Sequence, residues 1–166
     1  MTESKPTDAV AQQPVVTTSR AVWRGDRSFE AGPAGRTHII DAGQGATAPG
    51  PVETLLGAIA TCSSLDVIDI LAKRRTPVQK LTVNVRAERR SEFPRRVQRL
   101  ELEFAIDGAG IEAEHAERAI QLSYERYCSV AASLGADIVT ETTLVLNGAR
   151  SAPVRQKVWS PIDGKV

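Results

Sequence analysis

Two cysteines, Cys62 and Cys128, are the residues of this chain best suited to chemistry. Their settings, Ala60-Thr61-Cys62-Ser63-Ser64 and Tyr127-Cys128-Ser129-Val130, both read as helical. A separation of 66 residues rules out a CxxC redox loop or a short metal-binding knuckle. Brought together by the fold, the two would form a dithiol able to attack as a thiolate and to close a reversible disulfide. Left apart, each would be a small apolar residue in a packed helix, because free cysteine behaves as a small hydrophobe. Arg126 precedes Cys128 closely enough to favour a thiolate, although near neighbours on a helix do not face one another.

Other chemistry finds less support. His38 and His115 are the only histidines, and no two of the His and Cys residues share metal-ligand spacing, so no zinc site is expected. His115 lies in a charged helical run with Glu112, Glu114, Glu117 and Arg118, and His38 alternates with Ile39 in a strand, facing solvent or a cleft. There is no glycine-rich phosphate loop, nucleophile elbow or triad order. Arg89, Arg90, Arg95 and Arg96 cluster around Pro94 as a solvated hairpin loop.

The composition narrows the class. With 166 residues, the chain is long enough to bury a core without disulfide support. Lys plus Arg number 21 against 20 for Asp plus Glu, which argues against nucleic-acid or polybasic membrane-surface binding. The longest apolar run, Thr54 to Ile70, is interrupted by Asp66 and Asp69 and reads as too short and too polar for a membrane span. The N-terminal residues show no apolar export segment, and two cysteines do not make a secreted scaffold, so a reducing cytoplasm is the expected location.

The elements that must position the thiols follow from periodicity. Residues 1–19 read as a flexible polar tail, 20–148 as one domain and 149–166 as an extension with no clear element. Ala21-Val22-Trp23, Phe29 and Thr37 to Asp41 form a small meander punctuated by Arg24-Gly25-Asp26-Arg27 and Gly32-Pro33. A helix starts at Pro51, with Glu53 at the positive end of its dipole, and runs to about Ala72 before Lys73-Arg74-Arg75 and Pro77. From Leu55 to Ala60 it is apolar or small almost throughout, predicting burial on most sides. Two alternating strands follow, around Leu81–Ala87 and Leu100–Ile106. A second helix is expected from Glu112 to about Leu134, with Ser123, Tyr127 and Val130 on its inner face, then a strand from Ile138 to Leu146 ending at Asn147-Gly148. Glu53 precedes Cys62 by nine residues, about two and a half turns, which sets the two on roughly opposite helix faces.

Taken together, the chain resembles the OsmC/Ohr family of thiol-dependent hydroperoxide reductases over about Ala21 to Leu146. The residues that carry the resemblance are Trp23-Arg24-Gly25-Asp26, the run Pro51-Val52-Glu53-Thr54-Leu55-Leu56-Gly57-Ala58-Ile59-Ala60-Thr61-Cys62, and Tyr127-Cys128-Ser129-Val130. The element order and the cysteine separation agree as well.

The resemblance implies an α+β fold with antiparallel sheets around two long central helices in an intertwined homodimer. It also implies that Cys62 is the peroxidatic thiol, that Cys128 is the resolving thiol, and that a Cys62–Cys128 disulfide is reduced by a lipoyl protein or thioredoxin-like dithiol. Organic hydroperoxides are the implied substrates, in oxidative or osmotic stress defence, with no metal or organic cofactor and no nucleic-acid or membrane partner. Leu55, Ile59 and Val130 would line an apolar pocket for the substrate. Arg24 or Arg27 would activate the thiol with help from Glu53. The family's peroxidases carry the activating glutamate ten residues before the reactive cysteine, where this chain has Val52, and a proline after the second cysteine, where it has Ser129. These departures mark a divergent branch. The alternative is a non-catalytic relative that binds a small hydrophobic ligand or acts as a slow thiol redox sensor.

Overall fold

The computed structural model describes residues 14–159. Of the expected N-terminal tail, residues 14–19 are exposed and form no helix or strand, and the rest lies outside the described residues. The chain divides into two compact units, Met1–Gly50 and Pro51–Val166.

The first unit is an antiparallel meander of β1 (Arg20–Gly25), β2 (Ser28–Gly32) and β3 (His38–Asp41). Gly25 and Asp26 turn the chain tightly between β1 and β2 with φ of 109° and 45°. Gly32 ends β2 at φ 141°, where a Cβ would collide with the Arg36 carbonyl oxygen, so only glycine fits there.

The second unit begins with α1 (Pro51–Lys73), followed by β4 (Lys80–Arg89) and β5 (Val97–Asp107), which pair antiparallel. α2 (Ala113–Leu122) leads through a π-helical turn (Ser123–Tyr127) to Cys128 and the short α3 (Ser129–Ala132). β6 (Val139–Leu146) then pairs with β5 in parallel. That one parallel pair in an otherwise antiparallel sheet follows from its connection, because a crossover through a helix returns the chain to the same end of the sheet.

The extension read as lacking structure contains two short strands, β7 (Ala149–Arg150) and β8 (Val154–Arg155), both antiparallel to β6. Asn147 and Gly148 have φ of 48° and 86°, which is the two-residue hairpin geometry that an Asn-Gly pair supplies. Expected as the end of a strand, this pair is the turn of a hairpin that joins β6 to β7.

The core lies on one face of this sheet. Leu100, Leu102, Phe104 and Ile106 of β5 point into it beside Leu144 and Leu146 of β6, and meet Ile59, Val67 and Leu71 of α1 and Ala116, Ala119 and Ile120 of α2. Each large side chain buried in this way contributes about 1.5–3 kcal/mol.

Helix α1 departs from expectation. Its buried residues are Ile59, Ser63, Val67 and Leu71, a single stripe at four-residue spacing. On the opposite side Gly57, Thr61, Leu65, Ile68 and Ala72 are exposed, with Leu65 at 63% and Ile68 at 38%. The helix is apolar nearly all round, yet the described residues of its own unit bury one face only. At 23 residues it is also long and apolar enough to cross a bilayer by length and composition, a correction to the sequence reading. Its inner stripe packs against the core instead.

The second helix is not continuous. The buried positions run Ala116, Ala119, Ile120, Ser123, Tyr124, Cys128 and Ala131. Tyr127, placed inside by regular α-helical counting, is 54% exposed, and Tyr124 takes the inner position at 1%. The π turn is the reason. Its wider turn holds an extra residue, so the helix phase slips between Tyr124 and Cys128. Cys128 then adopts extended geometry, with φ −68° and ψ 93°, and caps α3.

Candidate active site: a paired-thiol cluster

Cys62 and Asp66 lie four residues apart on α1 and therefore share a face. Cys128 approaches from the break between the π turn and α3. The two sulfurs and a carboxylate oxygen of Asp66 all lie within 4.8 Å of one another. The thiols are reduced and free. A disulfide would bring the sulfurs to about 2 Å.

The two thiols differ in access. Cys62 is half-buried and Cys128 is 2% exposed. Burial is the largest influence on the Cys128 thiol, and it pushes the pKa up to about 12. The backbone N–H of Ala131 donates to Cys128 Sγ at 3.4 Å and offsets part of this, while Cys62 and Asp66 both oppose ionisation. Arg126, considered from sequence as a stabilising charge, is exposed on the outer side of the turn. Cys128 is thus a protonated thiol across the neutral range, and Cys62 is the sulfur that solvent and reagents reach. At neutral pH iodoacetamide is expected to label Cys62 in the folded protein and to spare Cys128 until the chain unfolds or the pH approaches 12. Peptide mass spectrometry reads the ratio, and equal labelling at pH 7 would contradict the assigned asymmetry.

Two further groups complete the cluster, and neither was singled out from sequence. Ser123, fully buried in the π turn, donates its hydroxyl to Asp66 Oδ2 at 2.7 Å and fixes the carboxylate. Tyr124 lies in the same turn, with its hydroxyl buried and without a hydrogen-bond partner among the described residues. Burial pushes its ionisation upward, and charge on either thiol would push it further. Ser63 lies near enough to ease this slightly, but its hydroxyl is committed to the Ile59 carbonyl at 2.9 Å and falls short of bonding the phenol. The sequence carries a signal for each: Ser123 falls on the expected inner face of the second helix, and Tyr124 is four residues before Cys128. Replacing Ser123 with alanine strands the Asp66 carboxylate and is expected to cost about 1–2 kcal/mol. Urea unfolding measures this, and an unchanged midpoint would show that water replaces the hydroxyl without penalty.

Glu53, Arg24 and Arg27 were also selected from sequence. Glu53 sits in the first turn of α1, and because the helix is regular from Pro51 it lies about 13 Å along the axis from Cys62 and on the far face. Arg24 and Arg27 belong to the first unit. Arg24 is paired there with Glu30, whose carboxyl is held below its usual range first by the Thr37 hydroxyl (2.5 Å) and then by Arg24. Arg27 is exposed in the turn between β1 and β2. The expected apolar pocket is also revised. Ile59 is wholly buried, and the crevice it lines with Leu100, Tyr124, Ala131, Leu134 and Ile138 has hardly room for one water molecule. Leu55 and Val130 are half-buried at the edge of the core.

A half-buried thiol on a long apolar helix, a second thiol at the break between the π turn and α3, and a sheet behind both define an α+β protein with paired thiols. The family model described as OsmC-like protein matches residues 43–143, and the chain belongs to that family. Protein YhfA of Escherichia coli K12 is 39% identical over 101 residues, covering 61% of this chain and 75% of YhfA. The crystal structure of an OsmC-like protein from Mycoplasma pneumoniae superposes with a TM-score of 0.72 at 18% identity, covering 81% of this chain and 99% of that one. The organic hydroperoxide resistance protein OhrB of Bacillus subtilis superposes at 0.53 with 14% identity, covering 79% and 98%. Both solved structures share the fold of this chain, and the low identities to them agree with a divergent branch.

Proposed function

We propose that this protein reduces organic hydroperoxides through its two thiols. The observation that carries the reading is the pair of sulfurs within 4.8 Å of one another with opposite access, Cys62 reachable and Cys128 enclosed. The thiolate of Cys62 attacks the peroxide oxygen, the O–O bond breaks, and the departing alkoxide takes a proton to leave as an alcohol. Cys62 becomes a sulfenic acid. Cys128, still protonated, then attacks that sulfur as its proton transfers to the departing hydroxyl, which gives a disulfide and water. An external dithiol, of lipoyl or thioredoxin type, returns two electrons and two protons. Seclusion of Cys128 suits the second role, since a buried neutral thiol is not consumed by peroxide before its turn.

Attack requires a cation to hold the Cys62 thiolate. The charges acting on the paired sulfur, Cys62 and Asp66, are of the wrong sign. Arg24 and Arg27 are the candidates for that cation, with Glu53 as the candidate support; exchanging each arginine for lysine and for methionine tests the role, and peroxide turnover unchanged in every variant would remove it.

The exposed stripe of α1 supports a homodimer. Leu65 and Ile68 form a face of α1 that its own unit leaves exposed, and a two-fold pairing of α1 with its copy would cover both at once.

The reading is tested by adding one equivalent of cumene hydroperoxide to reduced protein and measuring intact mass and peptides. The expected product is one Cys62–Cys128 disulfide per chain, with loss of two hydrogens. Oxidation that stops at Cys62 sulfinic acid, or no reaction, would sink the two-thiol cycle.

A further inference from the structure

We propose that Cys62, Cys128 and Asp66 form a binding site for a thiophilic divalent cation, with zinc the best fit. The three donors come from rigid positions: two from one face of α1 and one from the cap of α3. Their ligand atoms already lie within 4.8 Å of one another. A tetrahedral zinc bound by two sulfurs and an oxygen holds its donors about 3.5–3.8 Å apart, so each donor moves less than about 1 Å to close on the ion. Two sulfurs and a carboxylate select zinc or cobalt over magnesium and calcium, which take oxygen.

The surroundings are those of a supported site. The Ser123 hydroxyl fixes Asp66 through Oδ2 at 2.7 Å, and the Ala131 N–H points at Cys128 Sγ from 3.4 Å, where it would neutralise part of a bound thiolate's charge. The Tyr124 hydroxyl gives a second, independent pointer. It is buried, unpartnered among the described residues, and close enough to both sulfurs to sense their charge, which leaves one unused polar group beside the cluster. Three protein ligands leave the fourth position to water or another small ligand. Binding replaces the two S–H bonds with two sulfur–metal bonds and releases two protons to solvent; no electron is transferred. The site does not depend on the peroxide reading, because a chain without peroxidase activity would still present these donors.

The test uses reduced, chelator-stripped, untagged full chain titrated with Co²⁺ and then Zn²⁺. The expected result is one Co²⁺ per chain, with sulfur-to-cobalt charge-transfer absorption and the visible bands of a tetrahedral ion, all displaced by one equivalent of Zn²⁺. Cys62→Ser and Cys128→Ser should each remove most of the charge-transfer intensity and weaken Zn²⁺ at least about a hundredfold in a chelator competition. Asp66→Asn keeps both sulfurs and should weaken Zn²⁺ while leaving the charge-transfer bands, so the proposal stays testable if a cysteine variant fails to fold. X-ray absorption of the zinc-loaded wild type should count two sulfur neighbours. No stoichiometric binding, one sulfur or none around the metal, or affinity unchanged in both cysteine variants would overturn it. Failure here with an intact peroxide-induced disulfide would remove the metal site alone.

Discussion

Cys62→Ser is expected to abolish dithiol-dependent consumption of organic hydroperoxide, lowering the rate by about three orders of magnitude or more. A serine hydroxyl is a far weaker nucleophile than a thiolate, and no other described residue of the cluster can replace it: Asp66 is a poor nucleophile toward peroxide oxygen, and Cys128 is enclosed and protonated. Cys128→Ser gives a different result. One equivalent of peroxide is consumed, and a sulfenic acid accumulates at Cys62 that a dimedone adduct reports. Turnover with lipoyl dithiol then slows to the rate at which that reductant attacks the sulfenic acid directly. A hydroperoxide panel with lipoyl dithiol and thioredoxin, run on wild type and both variants, separates these outcomes. Full turnover in Cys62→Ser would remove Cys62 from the mechanism, and equal loss in the two variants without a sulfenic acid would remove the division of roles.

Leu65→Asp carries the second large effect. Leu65 is mostly solvent-exposed in the single chain, so a carboxylate there leaves the subunit's own core intact. In a two-fold pairing of α1 the same change puts two like charges into one apolar contact. Unpaired buried charge costs about 3 kcal/mol or more, which weakens association at least about a hundredfold. Sedimentation or light scattering should show wild type as a dimer at micromolar concentration and Leu65→Asp as a monomer with an unchanged far-ultraviolet spectrum. A wild-type monomer, or a dimer indifferent to the substitution, would show that another surface or no copy covers this face.

Much of this architecture was legible in the residues. The strands around Leu81–Ala87 and Leu100–Ile106 follow from strict alternation, because each residue's exposure is set by a single sheet face. Helix α1 follows from Pro51, Glu53 and Lys73, which fix both ends locally. What escaped depended on distant partners or on small departures from ideal geometry. Apolarity around α1 signals that something covers it, and does not say whether that cover is the same chain. The parallel pairing of β5 and β6 depends on where α2 returns the chain, which strand periodicity does not encode. Asp66 read as an interruption of an apolar run; only the arrival of Cys128 and Ser123 from more than fifty residues away makes it part of a cluster.

The π turn also bears on how relatives should be aligned. A wide turn inside an α-helix has the same effect as a single inserted residue that the neighbouring turns do not absorb. Residues after Leu122 are therefore offset by about one position from where an uninterrupted helix would put them. The backbone N–H of Cys128 is tied to the Ser123 carbonyl at 2.8 Å, across the whole of that turn. In a relative whose second helix lacks the extra residue, a cysteine aligned letter for letter with Cys128 would point about 100° away from the first thiol. Two such proteins could carry the same pair of cysteines in sequence, yet only one would hold them as a pair in space.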